Sequence, residues 1–298
     1  MTNLVDQSQR ALGSDLNVGP LGYGCWRLVN MPVAEAQARI EHVLAQGMNL
    51  IDTADVYGLD WGGTAFGSAE ELLGQVLRAA PGLREQMVLA SKGGIIPGVP
   101  YDSAYLEQAC NDSLQRLGVE YLDLYQIHRP DMLTHPQETA RVLQRLKDSG
   151  KVRTFGVSNY TTSQTSALMA YLPGEIISQQ PQYSALHLDP LFDGTFDQCM
   201  QHQQTPLVWS PLAGGRLGDS SAMPDALARV LQTLAEREGV DVPTIGLAFV
   251  LAHPARPVAL LGSLNLERLT QAQQALSVQL DRTDVYQIIQ ASMGEALP

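Results

Sequence analysis

The sequence predicts a (β/α)8 barrel, an α/β fold in one domain across residues 1–298, with its active site at the C-terminal ends of the strands. Three observations predict it. Eight short apolar strand patterns alternate with helical ones along the chain. No two-residue hairpin turn joins one strand to the next, so the sheet is expected to be parallel and covered on both faces. The chain length suits a single such barrel. The alternative is an open doubly wound sheet, which usually carries G-x-G-x-x-G after its first strand. The nearest match here, Gly22-Tyr23-Gly24-Cys25-Trp26-Arg27, lacks the third glycine.

Residues 1–9 read as a frayed start, and 18–24 as a strand with a glycine-rich end. Pro32 opens a helix with apolar residues at Val33, Ala36, Ile40, Val43 and Leu44, and Gly47 stops it. The second strand, 49–54, leads through a glycine-rich loop to Ser68, which reads as an N-cap ahead of Glu70 and Glu71. That helix runs to about residue 79, and strand 87–91 ends at Lys92. Asp102 reads as the cap of a helix through 117, followed by strand 122–127 ending in His128-Arg129-Pro130. Helix 136–149, closed by Gly150, leads to strand 154–157, which ends in Ser158-Asn159. Helix 162–171 and strand 176–180 follow, and Pro181 ends the strand. Helix 194–203 precedes strand 206–209, which ends in Ser210-Pro211. A longer insertion with Gly214, Gly215 and Gly218 comes before helices 225–238 and 244–253. The last strand, 257–261, ends in Gly262-Ser263, and helices 265–275 and 281–293 close the chain.

Net charge is −12, which disfavours nucleic acid and anionic membranes as partners. Any phosphate site must therefore be built locally. Cys25, Cys110 and Cys199 form no CxxC pair and are expected as reduced thiols, without a structural metal. No stretch is long and apolar enough to span a bilayer, and residues 1–17 lack the apolar region of a secretion signal, so the expected location is the cytoplasm. No obligate protein partner is evident. Lysine is scarce: Lys92, Lys147 and Lys151 are the only three.

The expected strand ends collect polar side chains: Asp52, Lys92, His128, Ser158, Asn159, Gln180, Ser210 and Ser263, with Tyr57 on the loop after Asp52. A free tyrosine, with a pKa near ~10, is a poor acid at neutral pH. A lysine beside it favours the phenolate and lowers that pKa. An aspartate can compensate the buried ammonium, and a histidine can hydrogen-bond the tyrosine or a substrate oxygen. Together they make a tyrosine able to give or take a proton near neutral pH, a site suited to carbonyl reduction once a hydride source is present. Each residue alone has a structural explanation; their joint occurrence at separate strand ends is the signal.

These residues sit in the motifs D-T-A-D-V-Y-G (52–58), S-K (91–92), L-D-L-Y-Q-I-H (122–128), G-V-S-N (156–159), W-S-P-L (209–212) and L-G-S-L-N-L-E-R-L (261–269). In this order and spacing the chain resembles the aldo-keto reductase family over nearly its whole length. The resemblance implies a TIM barrel that reduces aldehydes and ketones to alcohols with NADPH/NADP+, NADH being the lesser expectation. It implies a tetrad of Asp52, Tyr57, Lys92 and His128, with Tyr57 as proton donor. It implies that Ser158, Asn159 and Gln180 hold the carboxamide and that Trp209 stacks on the nicotinamide. Ser210, Leu212, Gly262 and Ser263 are implied along the phosphates, and Arg268 at the adenosine 2′-phosphate. Trp26, Trp61 and Arg129 are candidate substrate contacts. The family also includes cofactor-binding regulatory proteins similar to potassium-channel β-subunits, which is the alternative reading. A short-chain dehydrogenase requires Tyr-x-x-x-Lys, and no tyrosine here has that lysine.

Overall fold

The structure, a computed structural model, describes residues 2–59, 65–95 and 103–296. Ten strands and ten α-helices occur among them. The first two strands, β1 (Arg10–Leu12) and β2 (Leu16–Val18), form an antiparallel hairpin. The next eight are β3 (Leu21–Gly24), β4 (Leu50–Asp52), β5 (Val88–Gly93), β6 (Leu122–Ile127), β7 (Val152–Ser158), β8 (Ile176–Gln180), β9 (Thr205–Val208) and β10 (Val258–Leu261). They close into an all-parallel barrel in that order, with β10 against β3. This is the expected (β/α)8 architecture.

Sequence dictates the closure through its apolar runs. Leu50, Val88, Ala90, Leu124, Leu207, Val258 and Leu260 fill the barrel interior. Leu12 and Val18 of the hairpin pack onto the same cluster and plug the N-terminal end. The hairpin was not expected from the sequence, where 18–24 reads as one strand. Its strands of three residues are too short to show an alternating pattern. The outer layer comprises α1 (Val33–Ala45), α2 (Ser68–Ala79), α3 (Ser103–Leu117), α4 (Pro136–Asp148), α5 (Thr162–Met169) and α6 (Thr195–His202). It continues with α7 (Asp225–Glu238), α8 (Val242–Leu251), α9 (Leu266–Gln271) and α10 (Arg282–Met293). Their apolar faces form a second, larger cluster against the outside of the barrel.

Two boundary expectations change. Gly67, with φ +81°, is the N-cap of α2, and Ser68 is its first residue; the serine hydroxyl donates to the Ala65 carbonyl at 2.7 Å instead of capping the helix. The helix expected over 265–275 is α9 followed by a tighter 3-10 turn, Ala272–Ser277. The Asp102 cap lies outside the described residues. No helix among the described residues is long and apolar enough to cross a membrane.

Candidate active site

The strand ends converge as expected. Lys92, at the end of β5, is fully buried. Its ammonium donates to Asp52 Oδ2 at 2.5 Å and to the Thr53 carbonyl at 2.9 Å. It also lies 4.9 Å from the centre of the Tyr57 ring. Burial opposes the Lys92 charge, but Asp52 and Tyr57 outweigh it and hold its pKa above the ordinary lysine value. Tyr57 sits on the β4–α2 loop with its carbonyl accepting the Ala69 N–H at 3.2 Å. The turn that aims it needs Gly58, whose φ is +121°. A Cβ there would lie 2.7 Å from Ser68 Cβ and 2.8 Å from the Ala65 oxygen.

Lys92 favours the Tyr57 phenolate, as expected from the sequence, but burial opposes it. Burial is the largest influence and pushes its pKa up to about 12, against the pull of the Lys92 charge and hydrogen bond. Tyr57 therefore holds its proton at neutral pH, the form a proton donor needs, while Lys92 stands ready to stabilise the phenolate left behind. His128 meets the Tyr57 ring edge-on, with centroids 5.9 Å apart. Burial, then the charges of Lys92 and Arg129, keep His128 well below the usual histidine pKa, so it is neutral at pH 7. A neutral imidazole polarises a carbonyl by hydrogen bonding without competing for the proton.

Beside the tetrad, the polar ends of β7 to β9 form one network. Ser158 Oγ donates to the Gln180 carbonyl at 2.9 Å. Asn159 Nδ2 donates to the His128 carbonyl at 3.1 Å, and Trp209 Nε1 donates to Asn159 Oδ1 at 3.2 Å. Gln180 Nε2 reaches Asp52 Oδ1 at 3.1 Å. Asn159, Ser210 and Ala213 are non-glycine residues with φ near +55° (56°, 54° and 51°). Such backbone costs about 1–3 kcal/mol per residue and clusters at functional sites.

A cleft of about 1470 Å³ runs over the barrel mouth. Tyr57, His128 and Asp52 line one end, together with Ser158, Asn159, Gln180 and Trp209. Ser210, Leu212, Gly262, Ser263 and Arg268 line its continuation, and Trp26 and Arg129 its rim. Lys92 lies beneath this surface. Trp61 lies outside the described residues. The cleft's volume exceeds that of a small-substrate pocket. Gly214 and Gly215, which follow Ala213 and share its positive φ, also line the cleft. Arg268 adds an exposed cation whose side chain makes no hydrogen bond or ion pair to the described residues.

Sequence reasoning missed Gln126, which is fully buried and bonded to Asp52. Its only signal was a polar residue inside an otherwise apolar strand end. Asp55, given no role from the sequence, is buried behind the tetrad, with its backbone N–H on the Lys92 carbonyl at 2.9 Å.

Comparison with known proteins bears on this site. The model of the aldo/keto reductase family matches residues 20–292. A 6-dehydroglucose reductase of Novosphingobium aromaticivorans is 45% identical over 295 residues, with 97% of each chain covered. Oxidoreductase YdhF of Escherichia coli is 36% identical, with 92% of this chain and 94% of that protein covered. A Klebsiella pneumoniae aldo-keto reductase solved in complex with NADPH superposes with a TM-score of 0.79 at 29% identity, covering 95% of this chain and 94% of that one. More distant relatives include an NADH-specific methylglyoxal reductase of Escherichia coli at 28% identity and a probable voltage-gated potassium channel β-subunit of rice at 26%.

Proposed function

Since the chain belongs to the aldo/keto reductase family, and so to the oxidoreductases that reduce carbonyl groups with NAD(P)H, we propose that it takes NADPH, uses Tyr57 as proton donor, and acts on a hexose bearing an aldehyde at C6. The observation that carries the reading is the meeting of Tyr57, Lys92, Asp52 and His128 at one end of the cleft. Bound NADPH would supply the hydride to the carbonyl carbon. Tyr57 gives its hydroxyl proton to the carbonyl oxygen as negative charge develops there. Lys92 stabilises the resulting phenolate, Asp52 keeps Lys92 charged and in place, and His128 donates a second hydrogen bond to the same oxygen. Ser158, Asn159 and Gln180 would hold the carboxamide, and Trp209 the nicotinamide.

Arg268 supports the NADPH preference: it is a cation on the cleft wall of an acidic chain, unengaged among the described residues, where a 2′-phosphate would find charge-assisted hydrogen bonds. The hexose assignment draws on the 45%-identical relative's name and on Trp26. That indole is 38% exposed and lies 6.2 Å from the Tyr57 ring, nearly parallel to it, as a platform for the C–H face of a sugar.

Fluorescence titration tests the cofactor, and a substrate panel the sugar. Arg268→Ala is expected to weaken NADPH about tenfold or more and NADH hardly at all; equal loss for both would refute the phosphate role. NADPH consumption should be at least about a hundredfold faster, as kcat/KM, with 6-dehydroglucose than with methylglyoxal. Equal rates would remove the sugar assignment.

A further inference from the structure

Asp52 is held by more than its lysine. Gln126 Nε2 donates to Asp52 Oδ1 at 3.2 Å, and Gln180 Nε2 donates to the same oxygen at 3.1 Å, while Lys92 holds Oδ2 at 2.5 Å. In the barrel register Gln126 pairs with Lys92 on one side and Gly156 on the other. Gly156 makes the room: a Cβ there would lie 3.1 Å from Gln126 Cγ and 2.1 Å from Ser178 Oγ. The orientation of the amide is forced, because Oε1 turned toward Asp52 would oppose a carboxylate oxygen. Facing away, Oε1 has no hydrogen-bond partner among the described residues. Burying an unpaired amide oxygen costs free energy that an apolar residue would avoid. The bond to Asp52 is what offsets it.

We infer that Gln126 is a positioning residue of the proton-donating site, fixing the Asp52 carboxylate together with Gln180 and taking up part of its charge. With that charge shared, Asp52 neutralises Lys92 less completely, and more of the lysine's field reaches Tyr57. The Gln180 amide is common to Asp52 and to the carboxamide subsite, so the carboxylate also links the proton donor to that subsite. This role rests on the reading of Tyr57 as donor.

The test is single-turnover NADPH oxidation with a saturating aldehyde, across about pH 5.5 to 9, in Gln126→Met, Gln126→Glu and Tyr57→Phe. Gln126→Met is expected to slow the step about tenfold at every pH, with the NADPH dissociation constant within about twofold of the parent. In Gln126→Glu the introduced carboxyl, protonated at low pH, can donate to Asp52 as the amide does. The rate should then lie within about threefold of the parent at pH 5.5. A like charge at Asp52 raises the carboxyl's pKa, so the rate should fall about tenfold through a new limb centred between about pH 6 and 8. Packing alone predicts no such limb. Parental rates in Gln126→Met, or a parental pH profile in Gln126→Glu, overturn the positioning role. If Tyr57→Phe retains the parental rate, the donor assignment falls and this role with it. If Tyr57→Phe is inactive and the Gln126 variants are unaffected, only the positioning role falls.

Discussion

Replacing Asp55 with asparagine should make the protein more tolerant of alkaline pH. The Asp55 carboxyl is buried. The Tyr105 hydroxyl donates to Oδ2 at 3.2 Å, and Oδ1 has no hydrogen-bond partner among the described residues. The nearby Glu70 is also buried, held by Arg116 at 2.7 Å and by the Ser91 hydroxyl. Burial, and then the Glu70 charge, push Asp55 from an ordinary 3.8 up to about 8. The folded-state pKa is thus above the unfolded one, so folding at neutral pH takes up a proton. Stability from this group is greatest below the unfolded value and is lost as pH rises toward 8. The slope is about 1.4 kcal/mol per pH unit for one proton, or roughly 2.7 kcal/mol between pH 5.5 and 7.5. Asparagine does not titrate, and it keeps an acceptor for Tyr105. In a chain of this length each kcal/mol moves the midpoint about 2 °C. Thermal unfolding of parent and Asp55→Asn at both pH values should show the gap shifting about 5 °C in favour of the variant as pH rises. Every other residue is common to both proteins, so the change in the gap reports Asp55. A gap that stays constant would show that Asp55 is already ionised in the folded protein and would refute the reasoning.

Two other perturbations address the tetrad. Lys92→Met leaves the Asp52 carboxylate buried without its cation; it should cost about 3–5 kcal/mol at neutral pH, read by denaturant unfolding, and abolish turnover. Gly58→Ala forces a side chain into contact with Ser68 and Ala65, so kcat should fall about tenfold or more while NADPH binding, read by fluorescence, is little changed.

Much of this was legible in the sequence because strands of a parallel barrel are buried throughout. A polar residue ending an apolar run, such as Asp52, Lys92 or Gln180, has to be explained by a site. The structure brings these residues together at the expected face. What was illegible depended on burial or on very short elements. The hairpin of β1 and β2 has strands of three residues each, too few for a period of two to register. Ser68 matched the residue type of a cap, but the positive φ of Gly67 moves the helix start beyond it. The charge logic around Tyr57 gave the direction of the lysine's influence correctly. It could not weigh that influence against the opposing effect of burial, which prevails. Gln126 was hidden inside a motif read as a strand, since nothing in L-D-L-Y-Q-I-H says which side chains face the barrel interior.

If Tyr57 delivers the proton to the carbonyl oxygen at the end of this cleft, loss of its hydroxyl must slow reduction. Single-turnover reduction in Tyr57→Phe reads this step, because the ring remains and only the hydroxyl is lost. NADPH should bind with its parental affinity, and hydride transfer should slow by about a hundredfold to ten-thousandfold. A Tyr57→Phe enzyme that oxidises bound NADPH within tenfold of the parental rate would show that the proton comes from another group.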